Sequence, residues 1–195
     1  MTDAVKSIAD LVTGRLQEAV GKPLLAVSYF VLWNDFDAEH PNESGGCELI
    51  VLDFDGVEIE VDWGSEEALL IPGVTHHIQT RDYKRRRDPA REWSDDDVSG
   101  LNGIVVSWRP AWRCFLGKPL EDFEILGWRD GPAFSPQAIR LQFPGGSMVI
   151  AIGRHNGDAV IVGDGDELLI FPAAQWPAAA GNVRFLDTGP SHFVQ

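Results

Sequence analysis

Between Pro23 and Thr80 the chain has no lysine and no arginine, although the same stretch holds 12 carboxylates. Cysteine is nearly missing as well. Cys47 and Cys114 are the only two, far apart and in no CxxC pair, which excludes a disulfide framework and leaves buried or incidental thiols as the expectation. No run approaches the ~18 apolar residues that a membrane span needs. The opening, MTDAVKSIADLVTGRLQEAV, lacks the basic and continuously apolar regions of a secretory signal, so a cytoplasmic protein with no membrane contact is expected.

What is present is enough for a packed core. The 195 residues are 44% hydrophobic and include seven Trp, which argues against wholesale disorder and fits one domain. The net charge is −14. It is unevenly spread, because Arg81, Lys84, Arg85, Arg86, Arg87 and Arg91 crowd one short segment after the cation-free stretch. A body this acidic repels nucleic acid and favours a cationic partner, although net charge also simply keeps a protein soluble.

The chain repeats itself. Gly21-Lys-Pro-Leu24 recurs as Gly117-Lys-Pro-Leu120, 96 residues on. The runs that follow match in pattern: 25–33 with 121–128, each ending in Trp, and 48–54 with 137–143, where Ile50, Leu52 and Phe54 face Ile139, Leu141 and Phe143. Beyond these, 57–61 is matched with 148–152 and 67–71 with 158–162, the offset changing where Asp55-Gly56 gives way to Pro144-Gly-Gly-Ser147. Insertions confined to turns are what duplicated units tolerate.

Asp55-Gly56 between two alternating runs is a strong two-residue hairpin signal. Val57, Ile59 and Val61 alternate with Glu58, Glu60 and Asp62, which predicts one buried face and one row of solvated carboxylates. The matching row in the second half is Ser147, Val149 and Ala151, a face expected to be covered. Helix is sparse. Val5, Ile8, Leu11, Val12, Leu16, Ala19 and Val20 recur at helical spacing, with Asp3 as N-cap and Gly21-Lys-Pro23 as stop. Trp108, Trp112, Phe115 and Leu116 suggest a shorter equivalent with Pro110 in its first turn, and a third short helix fits the tail. The expected fold is α+β and β-rich: two pseudo-repeated antiparallel units, about 8–71 and 104–171, an N-terminal helix and a long connection over 72–103.

Leu49-Ile-Val-Leu-Asp53-Phe-Asp55-Gly56 resembles the first motif of the haloacid-dehalogenase-like phosphohydrolases, with Ile104-Val-Val-Ser107, Lys118 and Val162-Gly-Asp164-Gly-Asp166 following in the order of the later motifs. The resemblance implies a parallel α/β fold, Asp53 as nucleophile, Asp55 as general acid/base, Ser107 and Lys118 on phosphate oxygens, and Asp164 on Mg²⁺. Against that fold, 48–71 and 137–171 alternate as hairpins with no room for crossover helices. Other constellations are lacking. His76 and His77 are adjacent and point to opposite faces of a strand, which suits a metal poorly, and no HExxH, serine elbow or P-loop occurs.

In pattern and composition, apolar-x-apolar-x-Phe-x-x-Gly runs followed by acidic alternating strands resemble small bacterial proteins of the immunity class, which neutralise toxins. The resemblance transfers no residues. It implies a cofactor-free inhibitor of a cationic protein toxin. The surface that the residues themselves suggest is Asp53, Asp55, Glu58, Glu60 and Asp62, joined by Asp35, Asp37, Glu39 and Glu43 on the preceding loop. An ordinary solvated strand face fits those residues equally well. Arg85, Arg86 and Arg87 form a candidate anion contact, or a basic loop lying over the acidic strands of its own chain. A structural or adaptor module that self-associates through exposed Trp residues is the third reading.

Overall fold

The computed structural model describes residues 13–32, 47–64, 76–82, 101–107, 109–130, 133–156, 159–162, 167–173 and 183–185. The chain folds into two sheets that share a core, with little helix. A helix over 13–19, α1, leads into strand β1 (Leu24–Leu32), followed by β2 (Leu49–Phe54), β3 (Val57–Gly64), β4 (His77–Asp82) and β5 (Leu101–Val105). A one-turn helix, α2 (Pro110–Arg113), then leads into β6 (Asp122–Asp130), β7 (Ala133–Phe143), β8 (Gly146–Asn156), β9 (Ala159–Val162), β10 (Glu167–Pro172) and β11 (Val183–Phe185). The first sheet has the order β4-β3-β2-β1-β5. The second runs β11-β9-β8-β7-β6, with β10 also on β8. All pairings are antiparallel except β11 on β9.

The turn after each helix closes on a glycine in the left-handed region, Gly21 at φ 83° and Gly117 at φ 74°, where any other residue would be strained. The two GKPL segments then bond to each other reciprocally. Gly21 N–H donates to the Leu120 carbonyl (2.7 Å) and Gly117 N–H to that of Leu24 (2.8 Å). Leu24 N–H donates to Lys118 and Leu120 N–H to Lys22, both at 3.0 Å. Each bond is the other's counterpart under the 96-residue offset.

Register extends the correspondence. Val27 lies opposite Leu52 and Tyr29 opposite Ile50; Phe123 lies opposite Leu141 and Ile125 opposite Ile139. On the next strand Leu52 faces Ile59, and Leu141 faces Met148. The hairpin in each half is two residues long: Phe54 pairs with Val57, and Phe143 pairs with Gly146. The expected longer turn over 144–147 is therefore corrected. Gly146 already belongs to β8, so 57–61 corresponds to 146–150 and not to 148–152.

The fourth strand also differs from expectation. Residues 67–71 lie outside the described residues, and β4 pairs with β3 inside the stretch read as a connection, which contributes β5 too. The counterpart of β4 is β10, not β9: Gly64 faces His77 and Ile59 faces Asp82, just as Gly153 faces Glu167 and Met148 faces Pro172. Alternation in His77-Ile-Gln-Thr-Arg81 supplies the strand, with Ile78 turned inward as Leu168 is in β10.

One cluster of buried apolar side chains runs through both sheets. It includes Leu52, Phe54, Ile59, Val61 and Ile78 from the first, and Ile139, Leu141, Phe143, Ile150 and Leu168 from the second. Leu16 of α1 and Trp112 of α2, again 96 residues apart, are fully buried in it. Trp112 Nε1–H donates to the Tyr29 hydroxyl, which satisfies the one polar atom that each large ring carries into the core. A smaller cluster of Leu126, Ala138, Val149 and Ala151, with Phe171 packed on it, covers the opposite face of the second sheet, as the sequence suggests.

Candidate functional site

The acidic row on β3 divides into an outer and an inner part. Asp55 is exposed at the tip of the β2–β3 hairpin, where Gly56 at φ 76° takes the left-handed position of the turn. Asp53 and Glu58, both half-buried, occupy directly opposed positions on β2 and β3. The fold thus brings three of the predicted carboxylates to one end of the sheet.

Glu60 and Asp62 are not part of a solvated row, and this is a correction. Glu60 is fully buried and Asp62 is 8% exposed. The reason lies in β4, a strand within the stretch 72–103 expected to be a connection. Arg81 pairs in register with Glu60, Gln79 pairs with Asp62, and His77 and Gln79 are themselves buried. Arg81 Nη1 stands 3.7 Å from Asp62 Oδ2, so one cation of the basic segment does lie against the chain's own acids. Gln79 Nε2–H donates to the Trp63 carbonyl at 3.3 Å. At Gly64 a Cβ would stand 3.0 Å from the His77 ring and 3.1 Å from Gln79, so these side chains fill the space a larger residue would need. A buried carboxylate is costly unless charge or hydrogen bonds offset it, and for Asp62 β4 supplies the charge of Arg81.

The residues of the phosphohydrolase resemblance have other occupations. Asp53 sits near the hairpin end of a strand that is antiparallel to both neighbours, not on a parallel strand. Ser107 Oγ accepts from Val27 N–H at 2.8 Å. Lys118 Nζ donates to the Pro144 carbonyl at 2.8 Å and lies over the Phe115 ring. Asp164 lies outside the described residues, as do Asp35, Asp37, Glu39, Glu43, Arg85, Arg86, Arg87 and Trp33. Among the described residues no group of three or more His, Cys, Asp or Glu is placed to hold a metal ion, and no helix is long and apolar enough to cross a membrane.

The acidity of Tyr29 is clearly displaced. Burial raises its pKa well above the usual phenol value, and the hydrogen bond from Trp112 opposes this only in part. It remains a neutral phenol, with the Arg109 guanidinium 5.5 Å from its ring centre. Cys47 is buried and Cys114 exposed, both as free thiols. Compared with protein-family models, with curated proteins and with solved structures, the chain matches none.

Proposed function

We propose that this chain is a non-enzymatic partner-binding protein of the immunity type, acting in the bacterial cytoplasm, which neutralises a cationic protein toxin through the acidic end of its first sheet. The contact surface is the hairpin end carrying Asp53, Asp55 and Glu58. The observation that carries the reading is the opposed Asp53–Glu58 pair beside exposed Asp55. The buried Glu60 and Asp62 leave the contact set and become the floor beneath it. We also infer that the two halves descend from one duplicated unit, supported by their shared registers and reciprocal GKPL bonds.

The test is capture from the native host, identification of the retained protein, and association kinetics with it at two ionic strengths. The expected result is a basic protein whose on-rate falls as salt rises and is at least about tenfold slower with D55K/E58K, since exposed charges act mainly on association. An on-rate that the double reversal leaves unchanged overturns the reading.

A further inference from the structure

The two halves differ at one edge. In the first sheet β1 is covered on the side away from β2 by β5, which runs antiparallel to it over Ser28–Leu32. The corresponding strand of the second sheet, β6, ends the strand order, and among the described residues no strand pairs with its outer side. Two independent consequences are visible. Val27 and Tyr29, on β1, are 0% and 6% exposed, whereas their counterparts Phe123 and Ile125 are only partly buried against the core. The backbone of Val27 is satisfied from the β5 side, its N–H by Ser107 Oγ (2.8 Å) and its carbonyl by Val106 N–H (2.8 Å). The N–H of Phe123 instead bonds to the side chain of its own neighbour, Asp122 Oδ1, at 2.8 Å.

We propose that the outer edge of β6 is a strand-docking site, and that its occupant is an extended segment of the cationic partner, paired antiparallel to β6 as β5 is to β1. The inference rests on the partner-binding reading for there being a partner; the edge geometry stands by itself. Strand addition takes affinity from backbone hydrogen bonds and specificity from alternate side chains. Here the inward side chains complete the cover over Phe123 and Ile125, as buried Val106 helps to do over β1. Charge selects the occupant: Glu121 and Asp122 are exposed at the start of the strand, while Glu124 on it is already paired with Arg140 at 2.6 Å, so a segment alternating apolar with basic residues, its cations at the strand's start, fits both demands. Until it arrives, Asp122 occupies the first free amide, a local device of the kind that keeps edge strands from pairing indiscriminately.

The probe is an acetylated eight-residue peptide alternating valine and lysine, compared with the same peptide N-methylated at every second residue, against the full-length chain. The unmodified peptide is expected to bind and to slow hydrogen exchange at Ile125, with the N-methylated form at least about tenfold weaker. I125K, its fold checked by circular dichroism, should lose the binding; the methylated peptide makes the same test on the wild type if the variant does not fold. Equal binding of the two peptides means charge alone and overturns the proposal. So does an Ile125 amide already protected like that of Tyr29 in the free chain, which means the chain covers its own edge. Protection that grows with protein concentration means a second copy and overturns it too. Peptide binding unaltered by D55K/E58K supports the edge site whatever becomes of the hairpin reading.

Discussion

On the faces of the two sheets away from the shared core, the same four positions are filled in opposite ways. The first sheet places Glu60 opposite Arg81 and Asp62 opposite Gln79; the second places Val149 opposite Phe171 and Ala151 opposite Leu169. Glu60, Val149 and Ala151 are all fully buried. The inner faces do not diverge: Ile59 and Met148, Val61 and Ile150, Ile78 and Leu168 are all at 0% exposure. The backbone register therefore dictates the row that meets the shared core, while the other row accepts either charge with its partners or plain apolar packing. Among the described residues the buried carboxylates, Glu60 and Asp62, lie in the half that carries the acidic hairpin.

The largest expected effect comes from the rows that agree. Ile59→Ala and Met148→Ala should each destabilise the chain by about 2–5 kcal/mol in chemical denaturation. A cost below about 1 kcal/mol at one of them would break the equivalence of the halves. Arg81→Ala comes next, at roughly 1–3 kcal/mol; this is less than a fully buried pair loses, because Arg81 is 46% exposed on its side chain against 12% for Asp62. The loss should be greater at low salt than at high salt if the pair is electrostatic, which denaturation at two ionic strengths measures.

Tyr29 sharpens the comparison with its apolar counterpart Ile125. Its folded pKa lies above the ordinary phenol value of about 10, so its contribution is fully present below that pH and is lost as pH rises past it. Tyr29→Phe should cost about 1 kcal/mol at pH 8, where it removes the Trp112 acceptor, and should flatten the alkaline decline seen in wild-type melting curves. The smallest net effect is expected of the exchange E60V/D62A/Q79L/R81F, which gives the first sheet the second sheet's outer face. Replacing a buried ion pair by packed apolar groups is often neutral or stabilising, so the melting temperature should hold or rise. Collapse of that variant would show that the polar set specifies the fold and does not merely fill it.

Much of the fold is legible in the sequence, and the limits have physical causes. Asp55-Gly56, the alternation of 57–62, the Gly21 stop after α1 and the Ile50/Leu52/Phe54 match are local signals, and each of these features forms where it is expected, whereas α2 stops at Arg113, short of the Phe115 and Leu116 expected in it. Alternation assigns Glu58, Glu60 and Asp62 to one face, but it carries no information on whether that face is covered. That depended on β4, whose alternation of His77, Gln79 and Arg81 with Ile78 and Thr80 was masked by the adjoining Pro72-Gly73 and the arginine run. Two consecutive glycines at 145 and 146 allow a turn of either length, and only the pairing of Phe143 with Gly146 decides. Of the candidate site, the tip residue Asp55 was readable from turn chemistry; the split between Asp53 and Glu58 outside and Glu60 and Asp62 inside was not.

The reciprocal bonds between residues 21–24 and 117–120 carry a kinetic consequence. Contacts between segments nearly a hundred positions apart close late, because chain entropy must be surrendered before they return any energy. During synthesis the first sheet has β1 to β4 available well before residues 101–120 emerge, so β1 waits with an open edge and the Gly21 N–H after α1 waits for its acceptor, the Leu120 carbonyl. Mutations at the GKPL junction should therefore lengthen refolding more than those inside either hairpin, and the nascent first half is the stage at which this chain is most exposed to mispairing and most in need of a holding chaperone.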